Sequence, residues 1–236
     1  TTGFLPFADA LATAADRSTD PTRRALQGLM PNADLERIMG GCEPGSLIIV
    51  AARPSVGKSV FGQQATTVAG RRGYASAFFS GEMPAEQLAM RALAAYSNVP
   101  LSEIREGKAS TKSGLISDAM CKLAALPIKV DDTGGLHINQ VMARARALHR
   151  RHKLGLIVVD YLTLIRGDGD KTTDRVGDVA QRLKVLAKEL DCVVIALSQM
   201  SRECEKRPDK RGQLSDLRDS GEIEQAADVV IFLYRE

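Results

Sequence analysis

Six short runs of apolar, largely β-branched residues punctuate the chain: LIIVA at 47–51, YASAFFS at 74–80, PIKV at 127–130, LIVVD at 156–160, CVVIALS at 192–198 and DVVIFLY at 228–234. Longer helix-like stretches separate them, so the pattern predicts alternating strands and helices. Most of these runs are continuously apolar rather than alternating, as strands covered on both faces require. The expected fold class is α/β, with a mostly parallel central sheet and helices on both faces. Ahead of the first run, residues 4–16 (FLPFADALATAAD) place Phe7, Leu11 and Ala14 or Ala15 on one face of a short helix, and polar RSTDPTRR follows. A helix this short is marginal alone. Two readings therefore stand: a face that docks on its own domain or on a neighbour, or a frayed terminus.

The first strand runs into LIIVAARPSVGKS at 47–59, which ends in a Gly-Lys-Ser turn and leads into a helix-forming stretch. This is the sequence form of a phosphate cradle. Gly57 lets the backbone curl its N–H groups round phosphate oxygens, and the next helix adds partial positive charge at its N-terminus. The turn residues Ser55, Val56, Gly57, Lys58, Ser59 and Val60 are the expected nucleotide contacts, with Lys58 reaching the β- and γ-phosphates and the Ser59 hydroxyl holding Mg²⁺. The general pattern G-x-x-x-x-G-K-[ST] has glycine where this chain has Ala52. A tight strand-to-helix turn with an incidental lysine is the competing explanation, and the strand before and helix after the turn favour the cradle.

In an open parallel sheet, ligands bind beyond the carboxyl ends of the strands. Asp160 closes one apolar run and is expected to order Mg²⁺ near Ser59 rather than cap a turn. Glu82, after the second run, is placed to activate the attacking water, or else to favour the start of a helix near Pro84. Gln199, after the fifth run, is placed to sense the γ-phosphate. The segment 201–225 that follows carries Arg202, Lys206, Arg207, Lys210, Arg211 and Arg218 among acids. It reads as a mobile loop that contacts a nucleic-acid backbone, against the usual solvated mixture of charges. The basic run RARALHRRHK at 144–153 reads as a solvated helix face.

Composition narrows this picture only a little. Hydrophobic residues at 44% and charged residues at 26% are ordinary for a globular domain. The formal net charge of +3 is too small to argue for nucleic acid by itself, and 4% aromatics leave little for base stacking. Cys42, Cys121, Cys192 and Cys204 lack C-x-x-C spacing, so they read as reduced thiols of a cytoplasmic protein rather than a zinc site or disulfide framework. His137, His149 and His152 have no partnering cysteine cluster. No apolar run approaches the ~20 residues that cross a bilayer, so no membrane role is expected. The N-terminus shows no targeting signal, and a start at Thr1 suggests a fragment or processed product.

The chain resembles the C-terminal motor domain of DnaB-type replicative DNA helicases, a RecA-like P-loop NTPase, over roughly residues 30–236. The resemblance rests on GGCEPGSLIIVAARPSVGKS, EMP at 82–84, PIKVDDTGG at 127–135, LGLIVVDYLTLI at 154–165, LSQMSR at 197–202 and DKRGQLSDLRDSGEIEQAADVVIFLYR at 209–235. It implies a linker segment with a docking helix at 1–30 and a RecA-like ATPase domain at 31–236. It also implies a homohexameric ring that hydrolyses ATP with Mg²⁺ at subunit interfaces and moves along single-stranded DNA, with a primase or helicase loader as partner. The N-terminal helix would pack on the adjacent subunit. The matched motifs give Glu82, Lys58 and Gln199 catalytic roles, give Ser59 and Asp160 the metal, and put Arg218, Asp219 and Gly221 in the loop that holds the DNA backbone. Ala52 is at home in AARPSVGKS as this family writes it. Thr163 and Gly81 depart from the family's usual glutamine and leucine. Relatives also carry a primase-interacting N-terminal domain and a C-terminal hairpin whose lysine and arginine complete the neighbour's ATP site. Neither lies in this sequence, so the chain alone is expected to bind ATP, hydrolyse it poorly and assemble weakly. A RecA-like recombinase, another non-unwinding ring ATPase and a loading subunit that holds ATP structurally are the alternatives. The joint presence of Lys58, Glu82, Asp160 and Gln199 favours a working ATPase.

Overall fold

Strand β1 (Leu47–Ala52) is buried along its whole length and lies inside a six-stranded sheet. The structure is a computed structural model and describes residues 6–19, 26, 28–217 and 220–235. Strands β2 (Ala75–Ser80), β3 (Ile128–Asp131), β4 (Leu154–Asp160), β5 (Val193–Gln199) and β6 (Val229–Leu233) complete the sheet. All pairings are parallel, in the order β3-β2-β4-β5-β1-β6. Each of the six expected runs is a strand, shifted by at most two residues at either end.

The sheet divides the core in two. Alternate residues of a strand face opposite sides, so Leu47, Ile49 and Ala51 of β1 join one cluster while Ile48 and Val50 join the other. The first side is covered by α7 (Ile138–His152), α8 (Thr172–Leu190) and α9 (Ser220–Ala226), which contribute Val141, Leu183, Leu186 and Ile223. The second is covered by α3 (Lys58–Arg71), α4 (Ala85–Ser97) and the segment round Leu29, Met30 and α2 (Ala33–Met39). Two further helices, α5 (Leu101–Arg105) and α6 (Ser113–Ala124), precede edge strand β3.

Helix boundaries follow local chemistry. Asn32 accepts from the Leu35 N–H at 2.9 Å and starts α2. His137 and Gln140 close a reciprocal capping box on α7. Its basic C-terminal stretch is a surface face in which Arg144 pairs with Asp131 and Arg146 with Glu189. N-terminal helix α1 spans Phe7–Thr19, and Phe7 and Leu11 are 76% and 54% exposed, so no described part of the chain covers them.

One sequence expectation is corrected here. Residues 201–217 are not an open loop. They form two 3₁₀ turns, at Arg202–Lys206 and Leu214–Asp216, held by side chains. Arg207, expected to be free for a phosphate backbone, donates to both carboxylate oxygens of buried Asp216 and to the Arg211 carbonyl. An almost fully buried carboxylate needs such a partner, and local sequence gives no sign of it. Lys206 pairs with Glu203, whereas Arg202 and Lys210 stand exposed.

Candidate nucleotide-binding site

The polar ends of β1, β2, β4 and β5 meet in one crevice. β1 leads into α3 on one face of the sheet, and the neighbouring β5 leads on through residues 200–217 to α9 on the other, so the crevice opens where connections leave to opposite sides. Open α/β sheets bind ligands at such a point. The cavity holds about 350 Å³ and is walled by Ala52–Ser55, Gly57–Val60, Glu82, Met83, Arg91, Tyr161 and Gln199.

The turn between β1 and α3 is shaped for an anion. Gly57 takes φ 115°, a conformation closed to most L side chains, and immediately precedes α3. No side chain caps α3 at Gly57 and its first turn holds no acid, which leaves the helix-start N–H groups for a ligand. Ser55 also sits at positive φ, 67°. Ala52 is the last residue of β1, 1% exposed and paired with Gln199 of β5 and Leu233 of β6. At that position the chain is extended strand, so the glycine of the general motif has no conformational work to do.

The charged groups form a compact set. Asp160 ends β4, fully buried, beneath the cavity rather than on its wall. Its Oδ1 lies 4.0 Å from the Lys58 Nζ, which also sits 3.8 Å over the Tyr161 ring. Burial lowers the proton affinity of Lys58, and Asp160 and Glu82 offset this in part. Burial likewise raises the Asp160 carboxyl above its ordinary range, and Glu82 adds to the rise; the Ser59 hydroxyl, Lys58 and Arg91 oppose it. That proximity falls short of a hydrogen bond, because neither Asp160 carboxylate oxygen has a partner within the protein. The Asp160–Tyr161 peptide is cis. The Asp160 carbonyl accepts from the Gly81 N–H at 2.8 Å, which fixes the end of β2 beside that of β4.

A buried, orphaned carboxylate costs on the order of 1–3 kcal/mol or more unless something binds it. Hard divalent cations take oxygen ligands, and Mg²⁺ typically uses one or two carboxylates with substrate phosphates supplying others. Asp160 with the neighbouring Ser59 hydroxyl fits that donor set. No cluster of three or more His, Cys, Asp or Glu exists among the described residues to cage a metal without a ligand's help.

The structure therefore brings together Ser55, Gly57, Lys58, Ser59, Val60, Glu82 and Gln199 on one wall and Asp160 behind them. Val56 belongs to the same turn, its N–H bonded to the Arg53 carbonyl, but does not line the cavity. Gly221 lies exposed in the first turn of α9, away from the cavity wall. Arg218 and Asp219 lie outside the described residues.

Sequence reading missed Arg53, Arg91 and Tyr161. Arg91 was detectable: it follows Leu88 by three residues, so α4 turns a lone cation toward its own packed face, where its Nε is buried without a partner. Arg53 occupied a variable position of the motif and carried no signal.

The comparisons with known proteins agree with this geometry. The family model described as DnaB-like helicase C terminal domain matches residues 30–236. The replicative DNA helicase DnaB of Geobacillus stearothermophilus is 45% identical over 208 residues, covering 86% of this chain and 46% of its own length. The chain thus spans about half the length of the curated relatives it matches. Among solved structures, the ATPase domain of G40P superposes with TM-score 0.89 at 30% identity, covering 100% of this chain and 84% of that one. A DnaB-like replicative helicase, solved in a study of its interactions with primase, gives TM-score 0.87 at 30% identity, covering 100% and 57%. A cradle at the end of β1, a buried acid at the end of β4 and a match across residues 30–236 lead to one conclusion: the chain belongs to the DnaB-like helicase C-terminal domain family, with its RecA-like fold.

Proposed function

We propose that this chain is the ATP-driven motor of a replicative DNA helicase, binding ATP in the β1–α3 crevice and coupling its hydrolysis to movement on single-stranded DNA. The observation that carries the reading is the buried, unpartnered Asp160 carboxylate 4.0 Å from Lys58 at the floor of a cavity walled by Glu82 and Gln199. A site that merely held a nucleotide would need the cradle but not a carboxylate at Glu82.

Lys58, Arg91 and the N-terminus of α3 neutralise phosphate charge and hold the triphosphate in place, so most of the catalytic effect is positioning and electrostatics. Mg²⁺, when bound, neutralises charge developing on the phosphates. Ser59 and Asp160 would hold it. Glu82, exposed on the cavity wall, accepts a proton from the attacking water. Gln199, in register with Ala52 at the end of β5, reports the γ-phosphate to the segment that follows it.

The domain division follows the same reading, with residues 1–30 a linker whose helix α1 docks on an adjacent copy and 31–236 the ATPase domain. Exposed Phe7 and Leu11 support that docking. Arg218, Asp219 and Gly221 contact the DNA backbone, a primase or loader acts as partner, and the working state is a homohexamer.

Strand displacement on a forked duplex with ATP and Mg²⁺ tests the motor. Slow but ATP-dependent unwinding that the Glu82→Gln variant lacks is expected. Wild-type protein that binds ATP and assembles into rings, yet displaces no more strand than Glu82→Gln, would favour a loading subunit or non-unwinding ring.

A further inference from the structure

Arg53 leaves the phosphate turn in an unexpected direction. It lines the nucleotide cavity, yet its Nη1 donates to the Met200 carbonyl at 2.9 Å and its Nε to the Glu205 carboxylate at 2.7 Å. Its side chain is 19% exposed. The guanidinium holds the Glu205 carboxyl below its usual range, as a charged hydrogen bond does. Nη2 makes no hydrogen bond among the described residues.

Its two partners belong to the segment that runs on toward Arg218. Met200 donates its N–H to the Ala52 carbonyl at 3.0 Å and forms an antiparallel bridge with Leu217, the residue before Arg218. Ser201 donates its N–H to the Asp216 carbonyl, and Arg207 clamps Asp216. The segment is thus tied into one unit, and Arg53 attaches that unit to the cradle by a side chain.

We propose that Arg53 is a positioning residue that joins the nucleotide cavity to the 200–217 segment, through the Met200 carbonyl and Glu205, and so couples nucleotide occupancy to single-stranded DNA affinity. The inference rests on the motor reading above. A planar guanidinium with several donors can serve two anions at once or exchange between them. A bound triphosphate adds negative charge to a cavity that this guanidinium lines, and so competes with Glu205 for it. The exchange changes how the segment is held without any new contact to DNA.

Glu205 is the residue to alter, because it is half exposed, lies outside the cavity wall and contributes little to folding. Affinity for fluorescein-labelled oligothymidylate is measured by anisotropy with and without ATPγS–Mg²⁺, in wild-type chain, Glu205→Gln and Glu205→Asp. Coupling between sites is typically about 5- to 150-fold. The nucleotide is expected to change wild-type DNA affinity about tenfold. Glu205→Gln should shrink that ratio at least about threefold and Glu205→Asp should restore part of it, while ATPγS affinity stays within about twofold. A Glu205→Gln ratio equal to wild type overturns the proposal and leaves the motor reading intact. Wild-type protein with no nucleotide-dependent DNA binding overturns both. Trypsin cleavage after Lys206, Lys210 or Arg211 reads the tether without DNA: faster cleavage in Glu205→Gln is expected, and an unchanged rate overturns the tether.

Discussion

Asp160 and Lys58 carry the electrostatic logic of the site. The Asp160 carboxylate is fully buried and accepts no hydrogen bond, and the Ser59 hydroxyl nearby and the Lys58 ammonium 4.0 Å away compensate it only in part. Replacing it with asparagine removes a poorly satisfied buried charge, so Asp160→Asn should change the unfolding free energy of the nucleotide-free protein by no more than about 1 kcal/mol in the destabilising direction. The same variant should lose the Mg²⁺-dependent part of the thermal stabilisation given by ATP, measured as the shift in Tm. A large Tm drop without nucleotide would contradict this. The pH dependence has a defined sign. Because burial raises Asp160, its native form holds a proton more tightly than its unfolded form, so its contribution to stability is fully present at low pH and is lost as pH rises through the raised value. Mg²⁺-dependent nucleotide affinity runs the opposite way. It should fall on acidification at a pH above the ordinary aspartate range, which titration of a fluorescent nucleotide analogue at several pH values would show. Glu82→Gln should leave nucleotide affinity within about twofold while cutting turnover by about 10²- to 10⁴-fold, the usual worth of a general base.

Helices α8 and α9 show how an element can be set by one position. Gly177 in α8 lies where an added Cβ would stand 2.6 Å from the Cβ of Glu222 in α9. Alanine would gain up to about 1 kcal/mol of helix propensity there, but overpacking costs about 1–3 kcal/mol. We expect Gly177→Ala to be net destabilising by about 1–2 kcal/mol in denaturant titration, and to weaken single-stranded DNA binding by shifting α9. Equal or greater stability would show that α9 yields freely. At this scale the sequence was most legible. Nearly continuous apolar runs marked the central strands β1, β4 and β5, because burial on both faces leaves little room for polar positions, whereas β3, with Lys129 in a half-exposed edge strand, was marked by a shorter run. The strand-to-helix turn with Gly57 and Lys58 marked the cradle because few other residues fit it. What could not be read was long-range pairing. Arg207 with Asp216 and Arg53 with Glu205 join residues 9 and 152 positions apart, and neither pair leaves a periodic trace. Tertiary contact alone reveals them, which is why 201–217 looked like a free basic loop.

At the scale of the whole molecule, α1 presents apolar side chains that no described residue covers. Phe7 and Leu11 of α1 stand exposed on a helix too short to be stable without a partner surface. If α1 docks on an adjacent copy, Phe7→Asp with Leu11→Asp should shift the population toward monomer in light scattering and leave the monomer's Tm within about a degree. An unchanged mass distribution would contradict that assembly route. Assembly and DNA movement both rest on the claim that the crevice at the ends of β1, β4 and β5 is an ATP site. Equilibrium binding of a fluorescent ATP analogue in Mg²⁺, compared between wild type and Lys58→Ala, tests it most directly. Saturable wild-type binding at one site per chain, weakened at least about a hundredfold (nearly 3 kcal/mol) in Lys58→Ala, is the predicted result. Undiminished binding by Lys58→Ala would contradict it.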